Sequence, residues 1–268
     1  MPELPDVENY KRYLDRHARQ QVISGIAVAD GRLLGKLSPT RLRRRVVGAQ
    51  LVSSRRHGKH LLAALDTGGW MTFHFGMTGA LAYVEASAEP PPYARLSLAF
   101  SNGRSLAFTD PRKLGRVGLA DDADRFIAEE NLGPDALDPK LSLARFRDIV
   151  AGGRGNAKSL LMDQSRIAGI GNIYADEILF QARIHPEKPL RRLTSPEVAR
   201  LHADLRRVPK IAIARGAGSE SFIDKLPASY LLRHRRKGDR CPRCGGPIET
   251  LRMAGRTSYF CPRCQSLR

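Results

Sequence analysis

Cys241-Pro242-Arg243-Cys244 and Cys261-Pro262-Arg263-Cys264 hold every cysteine of the chain, two C-x-x-C turns separated by sixteen residues. Two thiolates on one tight turn can grip one side of a tetrahedral Zn²⁺, and a second turn closes the other side. Pro242 and Pro262 stiffen both turns. Between them, residues 247–251 and 257–260 read as strands joined by a turn at Ala254-Gly255. The stretch therefore predicts a zinc-ribbon hairpin. Two disulfides are the competing reading. The first ten residues carry Glu3, Asp6 and Glu8 with no apolar run behind them, so no secretory signal is expected. A reducing compartment then favours the metal. Four sulfur ligands leave no position open for a substrate, so one structural Zn²⁺ on Cys241, Cys244, Cys261 and Cys264 is expected.

The ribbon lies in the most basic part of the chain. From Lys225 onward eleven Lys and Arg residues face only Asp239 and Glu249. Over all 268 residues, 45 Lys plus Arg outnumber 27 Asp plus Glu, for a net charge of +18. Such an excess favours capture of a polyanion, and the pI of about 10.4 is the electrostatic footprint of a nucleic-acid binder. A ribosomal or membrane-surface protein is the alternative on charge alone. A composition of 42% hydrophobic and 27% charged residues is ordinary for a globular chain and excludes disorder and collagen-like repeats. No apolar run approaches the roughly 20 residues of a membrane span.

Upstream, the chain divides by texture. A helix is expected over 6–20. Residues 50–55, 61–65, 70–75, 79–84, 95–100 and 105–109 are apolar runs bounded by turn residues, and predict strands. Asn102-Gly103 marks a hairpin between the last two. Antiparallel strands at this spacing predict a sandwich or barrel. Helical patterns follow over 142–151, 157–164, 172–182 and 196–207. Thr194-x-x-Glu197 forms a capping box for the last, and Pro209 is expected to end or kink that helix early. The change of texture falls within 120–140. The expected class is α+β and multidomain, with an antiparallel β-sandwich domain over 1–125, a helical domain over 126–225 and the ribbon over 226–268.

Ile167-Ala168-Gly169-Ile170-Gly171-Asn172-Ile173-Tyr174-Ala175-Asp176 joins two of the helices. Two glycines occupy the turn and Asn172 opens the second helix. Amides at a helix start bind phosphate, and glycine lets a nucleic-acid backbone approach closely. A turn that serves packing alone is equally open at this point.

Met1-Pro2-Glu3-Leu4-Pro5-Asp6-Val7-Glu8 opens the chain, and four segments follow in order. They are His57-Gly58-Lys59-His60, His74-Phe75-Gly76-Met77-Thr78-Gly79, the turn at 169–176, and Gly255-Arg256-Thr257-Ser258-Tyr259-Phe260-Cys261. With the ribbon, these resemble the formamidopyrimidine-DNA glycosylase / endonuclease VIII family of base-excision repair enzymes. The resemblance spans essentially the whole chain and is nearer the formamidopyrimidine branch. It implies a β-sandwich, a helix–two-turn–helix domain and a zinc ribbon, with DNA in the cleft between.

The resemblance also implies a chemistry. Met1 is removed, and Pro2 becomes a secondary amine that bonds to the sugar C1′ as a covalent catalyst. The resulting iminium is an electron sink. The damaged base leaves, the C2′ proton becomes acidic, and the 3′ and then the 5′ phosphate are eliminated. Glu3 is the implied proton carrier beside Pro2. Lys59 completes the implied catalytic set as a phosphate clamp beside the lesion. Asn172, Gly171, His74 and Arg256 are implied DNA contacts. An everted nucleotide leaves a vacancy that wedges fill, and Met77, Arg112 and Leu114 match the wedge positions. The implied partner is double-stranded DNA with a damaged base or abasic site. A monomer is expected, cytoplasmic, nucleoid-associated and without membrane attachment.

Three departures bear on the substrate. Leu114 stands where the family usually has phenylalanine, and Asp6 where it commonly has glutamate. Residues 216–227, where a loop over an everted oxidised guanine is expected, are short and differently composed. Oxidised or ring-opened purines are the implied substrates. Oxidised pyrimidines, bulky adducts, or silent binding of damaged DNA on the same fold are the alternatives.

Overall fold

In the computed structural model, which describes residues 1–253 and 255–267, the chain divides into two units. One comprises Met1–Pro2 and Asp6–Glu130; the other comprises Glu3–Pro5 and Asn131–Arg268. Ala254, on which the expected ribbon turn falls, lies outside the described residues, as does Arg268.

The first unit is a β-sandwich. Helix α1 (Leu4–His17) precedes β1 (Ile23–Val28), α2 (Pro39–Val46), β2 (Leu51–His57), β3 (His60–Leu65), β4 (Trp70–His74), β5 (Ala80–Glu85), β6 (Ala94–Phe100), β7 (Arg104–Thr109), β8 (Arg116–Ala120) and α3 (Ala123–Glu129). Two four-stranded sheets form, ordered β1-β6-β7-β5 and β2-β3-β4-β8, with every pair antiparallel. Alternate residues face inward, as a pleated strand requires. Leu96, Leu98 and Phe100 of β6 join Leu106 and Phe108 of β7, Leu61 and Leu65 of β3, and Met71 and Phe73 of β4 in one core.

Helix α1 starts and stops earlier than expected. Pro5 is tolerated in its first turn, where no donor is needed, and Gln20 beyond its end takes a left-handed conformation. Two strands and two α-helices of this unit went unanticipated. Strand β1 carries Gly25 at an irregularity in its pairing with β6, and β8 carries Gly118 at its centre. Helix α2 is rich in arginine; its apolar anchors are only Leu42 and Val46, and its start depends on the Ser38 cap and Pro39. Short α3 is capped by Asp122.

The second unit contains α4 (Leu143–Ala151), α5 (Ala157–Met162), α6 (Asn172–Ala182), α7 (Ser195–Ala214), β9 (Glu249–Met253) and β10 (Arg256–Phe260). Nearly every residue of α6 is buried. A helix buried on all sides lies at the centre of its unit, and α5, α7 and β10 pack around it. Thr194 and Glu197 do form the capping box of α7. Pro209 does not end α7, which runs on to Ala214. A proline inside a helix costs about 3 kcal/mol. Val208, Ala212 and Ile213, on either side of it, lie in the core, and their burial offsets that cost.

The ribbon strands β9 and β10 pair antiparallel, Thr257 opposite Arg252 and Tyr259 opposite Thr250. The ribbon is bolted to α6. Phe180 packs with Leu231, Cys241, Ile248 and Cys261. Arg243 donates to the Phe180 carbonyl (2.9 Å), and Gln265 donates to the Ile184 carbonyl (2.9 Å).

Candidate functional site

The first helical amides of α6 have no partner within the helix, and such orphan donors form a ready anion site. Glu3 fills it. Its Oε2 accepts from the Gly171 N–H (2.7 Å) and the Tyr174 N–H (3.1 Å), and Oε1 accepts from the Ile173 N–H (2.8 Å). The side chain is fully buried. Three donors and the positive end of the helix dipole suit a carboxylate, which only accepts. Gly169 permits this approach. Its φ is +115°, and a Cβ there would lie 2.7 Å from Leu4 Cδ1. Its carbonyl accepts from the Leu4 N–H (3.0 Å). Pro2, the residue before Glu3, is half-buried.

In the first unit, His57-Gly58-Lys59-His60 closes the β2–β3 hairpin, with Gly58 at φ +56°. Lys59 is therefore on the turn itself. Arg55 and Arg56 belong to β2, where they pair with Asp124 (2.7 Å) and Glu8 (3.0 Å). His60 faces His74 across β3 and β4, ring centroids 4.9 Å apart. Burial lowers the pKa of His74, aided by the charges of Lys59 and Arg116. Burial likewise pushes His60 down to about 3, aided by His74, His57 and Lys59. His74 Nδ1 accepts from the Gly76 N–H (3.2 Å). A neutral imidazole so engaged carries its proton on Nε2 and is a hydrogen-bond donor there.

The residues matched to wedges stand on two loops tied together. Met77 is 36% exposed and Leu114 49%, and Arg112 is also exposed. Asp110, fully buried, accepts from the Thr78 hydroxyl (2.5 Å), the Arg112 N–H (3.2 Å) and the Gly115 N–H (2.7 Å). One carboxylate thus joins the Met77 loop to the Arg112–Leu114 loop. Gly76 lies so close to the Leu114–Gly115 backbone that a Cβ would meet it at 2.5 Å. Sequence reading missed Asp110. The signal available was an acid opening a turn ahead of Pro111.

In the second unit, Asn172 donates through Nδ2 to the Thr257 carbonyl of β10 (3.1 Å), and its buried Oδ1 has no partner among the described residues. Arg256 is exposed at the first position of β10. Beneath them lies an ionic cluster absent from the sequence expectations. Lys158 of α5 donates to Asp176 Oδ1 (2.5 Å) and Ser258 Oγ (2.5 Å). Arg235 donates twice to Asp176 Oδ2 (3.2 and 3.0 Å). Glu177, fully buried, accepts from the Leu232 N–H (2.8 Å), and burial pushes its carboxyl up to about 7. The 216–227 segment is a loop bonded within itself, Gly218 N–H to the Ser221 carbonyl (2.8 Å). It is tied to Tyr174, whose hydroxyl donates to the Gly218 carbonyl (3.1 Å).

The four cysteines are free thiols whose sulfurs all lie within 4.8 Å of one another. Cys241 and Cys264 Sγ are 3.8 Å apart, Cys244 and Cys261 Sγ 3.5 Å apart. A tetrahedral Zn²⁺ with 2.3 Å bonds sets its sulfurs about 3.8 Å apart. The set fits one zinc ion, and the separations are too long for disulfides. Structural zinc contributes about 10–16 kcal/mol to folding of such modules. Stripping it should release one Zn²⁺ per chain and unfold β9 and β10, read as rapid amide exchange over 238–267. Unchanged protection there after complete chelation would show that the ribbon does not depend on the metal.

Comparison with known proteins gives three matches along the chain. Residues 1–117 match the formamidopyrimidine-DNA glycosylase N-terminal domain, 132–224 its H2TH domain, and 238–267 a zinc finger found in FPG and IleRS. The formamidopyrimidine-DNA glycosylase of Moorella thermoacetica is 38% identical, over 94% of this chain and 95% of that protein. That of Geobacter metallireducens is 36% identical, over 99% and 100%. Among solved structures, a mutant of the Lactococcus lactis FPG in complex with Fapy-dG-containing DNA superposes with a TM-score of 0.90. It shares 28% identity, covering 99% of this chain and 100% of that one. The Lactococcus lactis Fpg complexed with abasic-site DNA gives a TM-score of 0.89 at 26% identity, covering 98% and 99%.

Proposed function

The chain belongs to the formamidopyrimidine-DNA glycosylase family, and on that premise we propose that it is a bifunctional DNA glycosylase and AP lyase of base-excision repair. The observation that carries the reading is Glu3: a buried carboxylate fixed by three backbone amides, one residue after Pro2. In this reading Pro2, freed of Met1, attacks C1′ of the damaged nucleotide. Its nitrogen bonds to C1′ as the bond to the base breaks, and opening of the sugar ring leaves an iminium. Loss of the C2′ proton expels the 3′ phosphate, and a second elimination expels the 5′ phosphate. Glu3 carries protons for the base-release and ring-opening steps.

The remaining assignments follow the same reading. Lys59, His74, Gly171, Asn172 and Arg256 hold the phosphates around the lesion. Met77, Arg112 and Leu114 fill the stack. The zinc ion, when bound, holds the ribbon and takes no part in the chemistry. The working division is a catalytic domain over 1–125, a DNA-binding helical domain over 126–225 and the ribbon over 226–268. The protein acts as a monomer in the cytoplasm on the nucleoid. Among the described residues, no helix is long and apolar enough to cross a membrane.

Oxidised and ring-opened purines are the favoured lesions. A panel of duplexes carrying oxidised guanine, ring-opened purine, oxidised pyrimidine or a bulky adduct tests this. Strand cleavage should be fastest on the purine lesions, whereas faster cleavage of pyrimidine or bulky lesions would move the substrate. Binding without cleavage anywhere on the panel would make the protein a silent reader of damage. Arg256→Ala should weaken DNA binding about tenfold and lower the slope of log K against log salt by about one. An unchanged slope would place Arg256 away from the phosphates.

A further inference from the structure

We propose that Asp176 and Lys158 are positioning residues that clamp β10 to the start of α6, and so set where Arg256 meets the DNA backbone. The proposal rests on the reading of Arg256 as a phosphate ligand, and deepens it.

Three successive residues of β10 are each held by a different side chain of the helical part. The Thr257 carbonyl accepts from Asn172 (3.1 Å), the Ser258 hydroxyl accepts from Lys158 (2.5 Å), and the Tyr259 N–H donates to Asp176 (3.1 Å). Asn172 and Asp176 are four apart on α6 and therefore share a face. Lys158 reaches in from α5. Arg235 completes the cluster, donating to Asp176 while its guanidinium lies 4.7 Å from the centre of the Tyr259 ring. Asp176, Lys158 and Ser258 are buried. Arg256 stands two residues before Ser258 on the same strand.

A buried ion cluster is a poor device for stability, because well-packed apolar residues would often serve as well. What it supplies is register. If β10 slipped by one residue, Thr257 or Tyr259 would replace Ser258 opposite Lys158. Tyr259 would overfill the buried space that Ser258 occupies, and a slip in either direction would turn the Tyr259 ring away from the Arg235 guanidinium. The slip would also carry Arg256 about 3.3 Å along the strand, a distance comparable to a whole hydrogen bond. Asn172 holds the same strand and is itself an expected phosphate contact. The clamp therefore fixes two contacts, on two elements, in one frame.

The test uses the full, zinc-loaded chain with Asp176→Asn, Ser258→Ala and Ser258→Thr. Each of the first two should weaken binding to abasic-site duplex about tenfold and reduce the salt slope by about one. Combined with Arg256→Ala, either should add almost nothing, because both changes remove the same contact. Ser258→Thr, which restores the hydroxyl, should restore the slope. A lower melting temperature with an unchanged slope, or full additivity with Arg256→Ala, would overturn the proposal. Amide exchange at 256–260 reads the clamp without reference to DNA. It should quicken in Ser258→Ala, and unchanged exchange overturns the clamp. If Arg256→Ala alone leaves the slope unchanged, the phosphate reading fails, and the exchange result alone then decides the clamp. Should Asp176→Asn not fold, Ser258→Ala carries the test.

Discussion

Mixed with borohydride and a duplex containing one abasic site, protein that begins at Pro2 should become covalently joined to DNA, and protein that retains Met1 should not. The difference should be about 10³-fold or more, since removing a nucleophile removes the covalent path rather than slowing it. The reason lies in the nitrogen. In the Met1–Pro2 peptide its lone pair is delocalised into the carbonyl, so the bond has partial double character and the nitrogen is no nucleophile. Once free, the pyrrolidine nitrogen is a secondary amine that forms an iminium on C1′, which borohydride reduces to a stable amine. Mass spectrometry of the joined peptide should place the link on the N-terminal proline. A link on any lysine, or efficient trapping of protein with Met1 in place, would remove Pro2 from the mechanism.

What was legible in the sequence was local. The ribbon could be read because its four ligands sit in two tight turns, and the pair spacing itself states the geometry. The strands of the sandwich core could be read because Leu96, Leu98 and Phe100 alternate with polar and small residues. Strand β8 could not, since Gly118 interrupts its pattern. Pro209 misled because a propensity rule acts on one residue, while the packing of Val208, Ala212 and Ile213 acts on a whole helix face. The residues that organise the site were hidden for a different reason. Asp110 joins loops more than thirty residues apart, and Lys158 meets a serine one hundred positions away. Part of the ribbon clamp lay within two quoted segments, with Asp176 ending one and Ser258 and Tyr259 inside the other, whereas Lys158 lies in neither. No spacing rule connects them; only the fold does.

Glu3→Gln should lower base excision by about 10²–10⁴-fold, the usual share of a positioned acid or base, while cleavage of a preformed abasic site falls much less. The structure adds a second consequence. Glu3 uses both oxygens as acceptors, Oε1 for Ile173 and Oε2 for Gly171 and Tyr174. Glutamine offers one oxygen and one NH₂. In one orientation its NH₂ confronts the Ile173 N–H; in the other it confronts those of Gly171 and Tyr174. Either way at least one buried amide loses its acceptor, at a cost of about 1–3 kcal/mol. The variant should therefore melt at a lower temperature as well as lose excision. Assays well below that temperature separate the effects, because partial unfolding would depress both activities by the same factor. A selective loss of excision assigns Glu3 to base release. Equal loss of both activities in a still-folded variant would leave Glu3 as the anchor that holds the N-terminus at α6, with the proton carried by another group.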